Sequence, residues 1–296
     1  SRFPEIGFDS ERLIYAMIIF LIMLAVVLAI VAKHIFFWQP LDTDHLYTNG
    51  PLLMGHRGSP KTRPENTSPS FNHAVESGLS AVEIDVLATR DDKIICSHNH
   101  DLERETDGLG YVHEMGYDDL KGVNAGIKHP ELSPAPIPLL EEVIDELPEE
   151  IFLNIEIKSE KPFGLKTADL LVKLIRQKNL HHRVVVSSFH PFIIWRVKSL
   201  DKGIPTAYIW SNQLVPKILR KPWFINLVHP DMLNPEAHLV TENLVSYARR
   251  KGVRLNVWTV NNYPAMIWLL KQGVDGIISD YPNLMLKAAN SIKGNQ

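Results

Sequence analysis

The sequence predicts an α/β fold, a (β/α)8 barrel of the TIM type preceded by one transmembrane helix. Short apolar runs alternate with amphipathic stretches through residues 51–290, which is typical of parallel strands joined by crossover helices. A single domain of roughly 250 residues with this rhythm is typical of a barrel. The first strand-like run is not followed by a G-x-G-x-x-G loop, so an open doubly wound sheet is the less favoured alternative.

Nine strand-like runs and six helix-like stretches make up this rhythm. The predicted strands are Leu52–Gly55, Ala81–Ala88, Ile94–His98, Ile151–Ile157, Val184–Ser187, Thr206–Ile209, Ile225–Val228, Arg254–Thr259 and Gly276–Ser279. The predicted helices are Ser68–Ser77, Leu139–Glu146, Lys166–Lys178, Pro191–Ser199, Thr241–Lys251 and Tyr263–Gln272. The stretch Thr89–Lys93 is too short for a crossover helix but suits a hairpin turn. We therefore expect one antiparallel strand pair within Ala81–His98.

The N-terminal part is predicted to anchor the chain in a membrane. Leu13–Ala32 contains no charged residue, Pro or Gly and has the roughly 20 residues that a helix needs to cross a bilayer core. A signal peptide has a shorter apolar core of roughly 7–15 residues. An uncleaved anchor is therefore favoured, and Ile30–Ala32 leaves cleavage open as the alternative. Residues 1–12 would precede the span, 33–50 would form a polar linker, and 291–296 a C-terminal tail.

The orientation of the span depends on few charges. Arg2 and Arg12 precede it, and Lys33 and His34 follow it. Basic residues concentrate on the cytoplasmic side of a membrane. With His34 counted as neutral, two basic residues precede the span and one follows it, which predicts the N-terminus inside and the barrel outside the cytoplasm. The chain begins at Ser1 rather than Met, so we expect upstream residues to be missing. A further span among them would change the orientation.

The amino-acid composition limits the classes of molecule that the chain is expected to bind. Lys and Arg number 31 and Asp and Glu 34, which gives a formal net charge of −3. Without a basic stripe interleaved with aromatics, no nucleic-acid partner is expected. The single cysteine, Cys96, lies in an apolar run and is expected to be a buried hydrophobic residue. The sequence does not indicate an oligomeric state.

Two pairs of polar residues within predicted strands point to a metal site. Barrel enzymes place their chemistry at the C-terminal ends of the strands. Glu83 and Asp85 would project from one face of a strand, and Glu156 and Lys158 from one face of another. Buried like charges repel each other and are costly to desolvate, and a divalent cation relieves both effects. We predict that the three carboxylates bind Mg²⁺ or Ca²⁺; for either pair alone, an ion pair inside the barrel is the alternative.

Histidines and further cations accompany these carboxylates. His56 and His98 lie at the ends of two predicted strands and are candidates for acid–base catalysis, because imidazole titrates near physiological pH. Arg57 and Lys158 can hold an anionic oxygen. Cations, a metal and two histidines fit phosphoryl chemistry better than sugar hydrolysis, which requires mainly two carboxylates.

Read in order, these residues resemble the glycerophosphodiester phosphodiesterase family. The matching motifs are H-R-G-x6-E-N-T at His56–Thr67, E-I-D-V at Glu83–Val86, H-N-x-x-L-x-R at His98–Arg104, I-P-x-L-E-E-V at Ile137–Val143, E-I-K at Glu156–Lys158, W-T-V-N at Trp258–Asn261 and G-V-D-G-I-I-S-D-Y-P at Gly273–Pro282. Each motif alone is weak, and their order makes the signal specific. The resemblance extends over roughly Leu52 to Leu286.

The resemblance implies a phospholipase-C-like barrel that hydrolyses glycerophosphodiesters to an alcohol and glycerol 3-phosphate. The implied roles are general acid and base for His56 and His98, phosphate clamps for Arg57 and Lys158, and metal ligands for Glu83, Asp85 and Glu156. Glu65 would support the metal and His56, and Trp258 would wall the organic part of the substrate. Asn99 stands where the family usually has Asp, so it would support His98 without a charge.

Two other functions remain open. The anchor would hold the site beside lipid, which favours a lysophospholipase D that acts on membrane lysophospholipids. A catalytically inactive membrane receptor or scaffold is the second alternative, and the complete set of histidines and ligands argues against it. Rates on glycerophosphocholine and lysophosphatidylcholine separate the two activities, whereas the inactive receptor predicts that a chelator changes nothing.

Overall fold

The computed structural model describes residues 10–159, 164–219 and 222–293. The chain divides into two units, residues 1–38 and 39–296. In the first unit, helix α1 spans Ser10–Phe36, and an 18-residue stretch within Glu11–Phe36 has a mean hydropathy of 3.2. This helix is long and apolar enough to cross a membrane, although a signal sequence has the same properties. Arg2, used in the charge comparison, and residues 294–296 of the expected tail lie outside the described residues.

The second unit is a closed barrel of eight parallel strands with one added antiparallel strand. The strands are β1 Leu52–Gly55, β2 Ala81–Ala88, β3 Ile94–Cys96, β4 Phe152–Ile157, β5 Val184–Ser188, β6 Thr206–Trp210, β7 Met232–Pro235, β8 Arg254–Val257 and β9 Gly276–Ser279. Their order is β1-β9-β8-β7-β6-β5-β4-β2-β3, and β1 also pairs with β2. Strand β3 runs antiparallel to β2, with Val86 opposite Cys96. The predicted barrel and its antiparallel pair are therefore confirmed.

Helices connect and surround these strands. They are α2 Ser68–Glu76, α3 Tyr117–Leu120, α4 Leu140–Glu146, α5 Lys166–Gln177, α6 Pro191–Leu200, α7 Ile225–Val228, α8 Glu242–Lys251, α9 Tyr263–Gln272 and α10 Pro282–Lys293. Helix α5 shows why they pack on the barrel. Its buried residues Ala168, Leu171, Val172 and Ile175 recur at the spacing that places them on one face of a helix.

Two sequence-based assignments near the C-terminal half were wrong or incomplete. Ile225–Val228, predicted as a strand, is the short helix α7, and the strand lies at Met232–Pro235. An apolar run of four residues fits a strand and a buried helical turn equally well. Pairing decides between them, because Met232 lies opposite Ala207 of β6. Helix α10 at Pro282–Lys293 was not predicted.

Part of the expected linker belongs to the barrel. Leu46 is buried in a core cluster that includes Leu52 and Met232, the first residues of β1 and β7. The Tyr47 hydroxyl donates to Asn256 Oδ1 at 3.1 Å, and the Leu41 amide donates to Asp231 Oδ1 at 2.7 Å. These residues cover the N-terminal end of the barrel and leave the C-terminal ends of the strands as the position for a site.

Candidate active site

Three carboxylates meet at the C-terminal ends of β2 and β4. Asp85 lies directly opposite Glu156 in the parallel pairing of the two strands, and Glu83 precedes Asp85 by two residues on the same face. All three side chains are buried. Each can offer an oxygen such that the three atoms lie within 4.8 Å of one another. The structure thus brings together the three residues predicted to bind metal.

Two cations contact these carboxylates. Lys158 Nζ lies 2.9 Å from Asp85 Oδ1 and 2.5 Å from Glu156 Oε1. Arg57 Nε lies 3.1 Å from Asp85 Oδ2, and the Arg57 amide donates to Glu83 Oε2 at 2.9 Å. Within the described residues, the buried atoms Glu83 Oε1 and Asp85 Oδ1 have no hydrogen-bond partner, so the contact of Lys158 with Asp85 is electrostatic rather than an aligned hydrogen bond.

The charges of the cluster do not balance. With all three carboxylates ionised, the two cations would leave one excess negative charge. Burial, reinforced by Asp85 and Glu156, raises the pKa of Glu83 well above its usual range. Burial alone would also raise the pKa of Asp85, but Lys158 and Arg57 lower it below its usual range and keep this carboxylate ionised. A cation that neutralised the cluster would have only oxygen ligands, the donor type that Mg²⁺ and Ca²⁺ prefer.

The loop after β1 positions Arg57 and the carboxylates. Arg57 and Asn66 both adopt the left-handed backbone region, with φ of 52° and 55°. This geometry directs the Arg57 amide towards Glu83. The Asn66 side chain donates to Asp85 Oδ2 at 2.9 Å and accepts from the Asp85 amide at 3.0 Å. Sequence reasoning did not assign Asn66, although it lies in the matched E-N-T motif.

Glu65 supports the site through Arg57. Its Oε1 accepts from Arg57 Nη1 at 2.6 Å, and its Oε2 lies 3.8 Å from Lys128 Nζ. Glu65 also shares a hydrogen bond with Glu105. The described contacts of Glu65 lead to Arg57 and to the region between β3 and α4, and its support of the metal and of His56 stays a prediction.

His56 instead pairs with Asp280. The atoms His56 Nδ1 and Asp280 Oδ1 are 2.6 Å apart, because Gly55 lies opposite Ser279 in the pairing of β1 with β9. The Asn261 side chain holds Asp280 by donating to Oδ2 at 2.7 Å and accepting from its amide at 2.9 Å. Burial would raise the pKa of Asp280, but the hydrogen bond to His56 lowers it. The matched S-D-Y-P segment contained Asp280, but no role was predicted for it.

His98 has a neutral partner. Its Nδ1 lies 2.9 Å from Asn99 Oδ1, and the supporting role of Asn99 stays a prediction. Burial lowers the pKa of His98 to about 4, and an amide partner cannot stabilise the protonated ring as strongly as a carboxylate does. Both histidines are therefore held through Nδ1, which leaves Nε2 available to a substrate.

Two cavities flank the acidic cluster. One of about 330 Å³ is lined by His56 and Arg57 together with Lys61 and Lys128. The other, of about 430 Å³, has the following lining residues: His98, Glu156, Lys158, Phe189, His190, Leu214, Val215, Pro216 and Leu219, among others. The first cavity is lined mainly by polar and charged residues. The second combines the apolar residues Leu214, Val215 and Leu219 with the charged residues Glu156 and Lys158.

Trp258 reaches the second cavity only indirectly. Its ring packs edge-on against Phe189, with centroids 5.3 Å apart, and its Nε1 donates to Asn234 O at 2.6 Å. Among the described residues that line the two cavities, Phe189 is present and Trp258 is not. Direct contact of Trp258 with substrate therefore stays a prediction.

Comparison with known proteins identifies the family. Residues 56–284 match the model of the glycerophosphoryl diester phosphodiesterase family. A glycerophosphodiester phosphodiesterase from Caldanaerobacter subterraneus is 33% identical over 238 residues, which cover 79% of this chain and 96% of that protein. An Oleispira antarctica phosphodiesterase, solved with the product sn-glycerol-3-phosphate, is 28% identical with a TM-score of 0.72, over 83% of this chain and 99% of that one. A Silicibacter pomeroyi structure with a TM-score of 0.74, 24% identical over 81% of this chain and 93% of that one, shares the fold. This chain belongs to the glycerophosphoryl diester phosphodiesterase family.

Proposed function

We propose that the barrel hydrolyses glycerophosphodiesters to an alcohol and glycerol 3-phosphate, with a divalent cation and two catalytic histidines. Family membership makes the chain a phosphoric diester hydrolase. The observation that carries the finer proposal is the position of the three buried carboxylates between two histidines that open onto separate cavities. Two of these carboxylates, Glu83 and Asp85, have an oxygen without a hydrogen-bond partner among the described residues. The glycerol 3-phosphate bound to the Oleispira relative supports the assignment of the product.

In this proposal the cation is Mg²⁺ or Ca²⁺, held by Glu83, Asp85 and Glu156. It would supply positive charge to the phosphate oxygens as negative charge develops there. Arg57 and Lys158 border the same cluster and are positioned to hold the non-bridging oxygens. Arg57 can do so with two parallel hydrogen bonds, whereas Lys158 acts as a point charge.

The different environments of the two histidines favour different catalytic roles, general base for His98 and general acid for His56. Neutral His98 accepts the proton of the attacking water or substrate glycerol hydroxyl at Nε2. Protonated His56 donates its Nε2 proton to the leaving alcohol oxygen as the phosphorus–oxygen bond breaks. Asp280 stabilises the imidazolium form of His56 and fixes the ring, as a carboxylate does for other catalytic histidines.

Hydrolysis of glycerophosphocholine tests this proposal. We expect activity to be lost in EDTA and restored by Mg²⁺ or Ca²⁺, and His56→Ala to lower kcat by about 10²- to 10⁴-fold. His182→Ala is the matched control, because His182 lines a cavity at the opposite end of the barrel. Metal-independent activity that survives His56→Ala would overturn the mechanism.

Lysophospholipase D activity is the second candidate. The apolar wall formed by Leu214, Val215 and Leu219 in the cavity beside His98 favours it, because an acyl chain could lie there. Rates on glycerophosphocholine and lysophosphatidylcholine separate the two substrates. Turnover of the soluble diester alone would eliminate this candidate.

We also propose that α1 is an uncleaved single-pass anchor with the barrel outside the cytoplasm. Its length and apolar composition support the span, and the basic residues beside it favour the orientation. Alkaline carbonate extraction tests the anchor, since release of the full chain into the supernatant would contradict it. Protection of the barrel from protease in right-side-out cells would contradict the orientation.

A further inference from the structure

Large apolar side chains are exposed on one side of the barrel. Helix α7 packs against α6, Trp223 before α7 donates from Nε1 to Ile218 O at 2.9 Å, and Leu214 lines a cavity together with His190, the residue before α6. On α6, Phe192 and Trp195 are three residues apart and therefore share a face. The exposed apolar residues on this side are Phe192, Trp195, Leu214, Ile218, Trp223 and Leu227. Leu214 and Ile218 are 68% and 62% exposed. We call this surface the α6–α7 face. Such groups of exposed apolar residues mark interaction sites on soluble domains.

The charge of this face favours an anionic partner. The described part of this segment, residues 211–219 and 222–229, contains Lys217 and no Asp or Glu, whereas the whole chain carries a formal net charge of −3. Lysine is depleted at protein interfaces. A two-fold contact between copies of this chain would also place the same basic segment against itself. Tryptophan and basic residues beside exposed aliphatic ones are instead typical of segments that lie in the interface of a bilayer.

The α6–α7 face is continuous with the candidate active site. Leu214, Val215 and Leu219 line the cavity that contains His98 and Lys158. Leu214 is both part of this lining and strongly exposed on the outside. A partner that covered the exposed residues of the α6–α7 face, such as Leu214, would therefore lie at the rim of this cavity.

We propose that the α6–α7 face docks on a phospholipid bilayer that carries anionic headgroups. The aliphatic and Trp side chains enter the interface between headgroups and acyl chains, and Lys217 contacts the anionic headgroups. Docking in this way brings the rim of the His98 cavity to the lipid surface. This contact goes beyond the proposed hydrolysis, because it concerns a partner and holds whichever diester is cleaved.

The test measures contact with lipid directly. The full chain with Ile218→Cys is labelled with an environment-sensitive dye and reconstituted in nanodiscs that contain lipids brominated on their acyl chains. Cys96 is buried, so the dye reacts at position 218. The matched control is Trp268→Cys, since Trp268 is an exposed apolar residue of α9, away from the α6–α7 face. We expect quenching at position 218 but not at 268, and stronger quenching when the disc contains phosphatidylglycerol than with phosphatidylcholine alone.

A second variant separates docking from catalysis. Lys217→Gln is expected to weaken docking about fivefold in anionic discs, whereas Lys271→Gln on α9 leaves it unchanged. Hydrolysis of glycerophosphocholine in detergent stays unchanged in both variants, so failure of the docking proposal and failure of the proposed function are distinguishable. Equal quenching at positions 218 and 268, or quenching insensitive to phosphatidylglycerol, would overturn the proposal. Self-association of the chain that protects position 218 without lipid would overturn it as well.

Discussion

Both ends of the barrel bury carboxylates, but only one end satisfies them. At the N-terminal end, fully buried Asp231 accepts hydrogen bonds from the Leu41 amide, the Thr206 amide and hydroxyl, and Lys198 Nζ. At the C-terminal end, Glu83 Oε1 has no hydrogen-bond partner among the described residues. A buried carboxylate with a full set of donors stabilises a fold, whereas one left short of positive charge indicates a place for a ligand.

The difference has a structural origin. Asp231 precedes β7 and receives donors from β6, α6 and the segment before β1, which close around it. Glu83, Asp85 and Glu156 project into the open end of the barrel, where Lys158 and Arg57 supply only two positive charges. The two ends can therefore be compared by neutralising one carboxylate at each.

The largest expected effect is at the open end. Asp85→Asn removes a proposed metal ligand and the charge that holds Lys158 and Arg57. Loss of several kcal/mol of charge stabilisation should lower kcat/KM by about 10³-fold. Steady-state hydrolysis of glycerophosphocholine at saturating Mg²⁺ or Ca²⁺ measures this. Activity within tenfold of the parent would place the essential charge elsewhere.

The matching change at the closed end should affect stability instead. Asp231→Asn leaves Lys198 without its ionised partner, and breaking a buried pair in this way lowers the free energy of unfolding by about 3–5 kcal/mol. Urea denaturation measures the loss. The kcat per folded molecule should not change. A large drop in kcat without a loss of stability would contradict the view that the closed end serves stability and the open end serves catalysis.

A smaller loss of activity is expected at the support of His56. Asp280→Asn keeps the shape but removes the charge that stabilises the imidazolium, and it should lower kcat by about 10²-fold, part of the contribution of general acid catalysis. Asp275→Asn is a control for a carboxylate at the other end of β9, where Asp275 pairs with Arg254. An equal loss of kcat in both variants would contradict a specific role for Asp280.

Asn99→Asp would make the support of His98 resemble that of His56. An added carboxylate beside Nδ1 favours the protonated ring, so the pKa of His98 should rise from about 4, by about one pH unit or more. Because the proposed role of His98 requires the neutral ring to accept the proton, the acidic limb of the pH–kcat profile should move to higher pH. An acidic limb that stays in place would indicate that His98 does not act as the base.

The smallest effect concerns a carboxylate at the edge of the open end. Burial, followed by the hydrogen bond to Glu65, raises the pKa of Glu105 from 4.5 to about 7. The folded state thus holds this proton more tightly than the unfolded chain. The stability it contributes is present below pH 4.5 and is lost as pH rises through about 7. Glu105→Gln should flatten the change in Tm over this range, and an unchanged profile would contradict the raised pKa.

The sequence alone determined the features that depend on local spacing. The i, i+2 rule placed Glu83 with Asp85 and Glu156 with Lys158, and the short connection Thr89–Lys93 predicted the antiparallel pair of β2 and β3. It also determined the apolar stretch that forms α1. These features follow from the geometry of a single strand, turn or helix, which neighbouring residues specify.

Only the tertiary structure decided which distant residues meet. Asp280 reaches His56 because closure of the barrel pairs β9 with β1, across 224 positions of the chain. Asn66 joins Asp85 only because the loop after β1 turns at three residues of positive φ, Arg57, Gly58 and Asn66 itself. Strand β7 was likewise chosen by its pairing with β6 rather than by the more apolar run at Ile225–Val228. The local periodicity of the sequence does not specify how the barrel closes. Closure is decided by backbone pairing between strands and by the burial of their side chains.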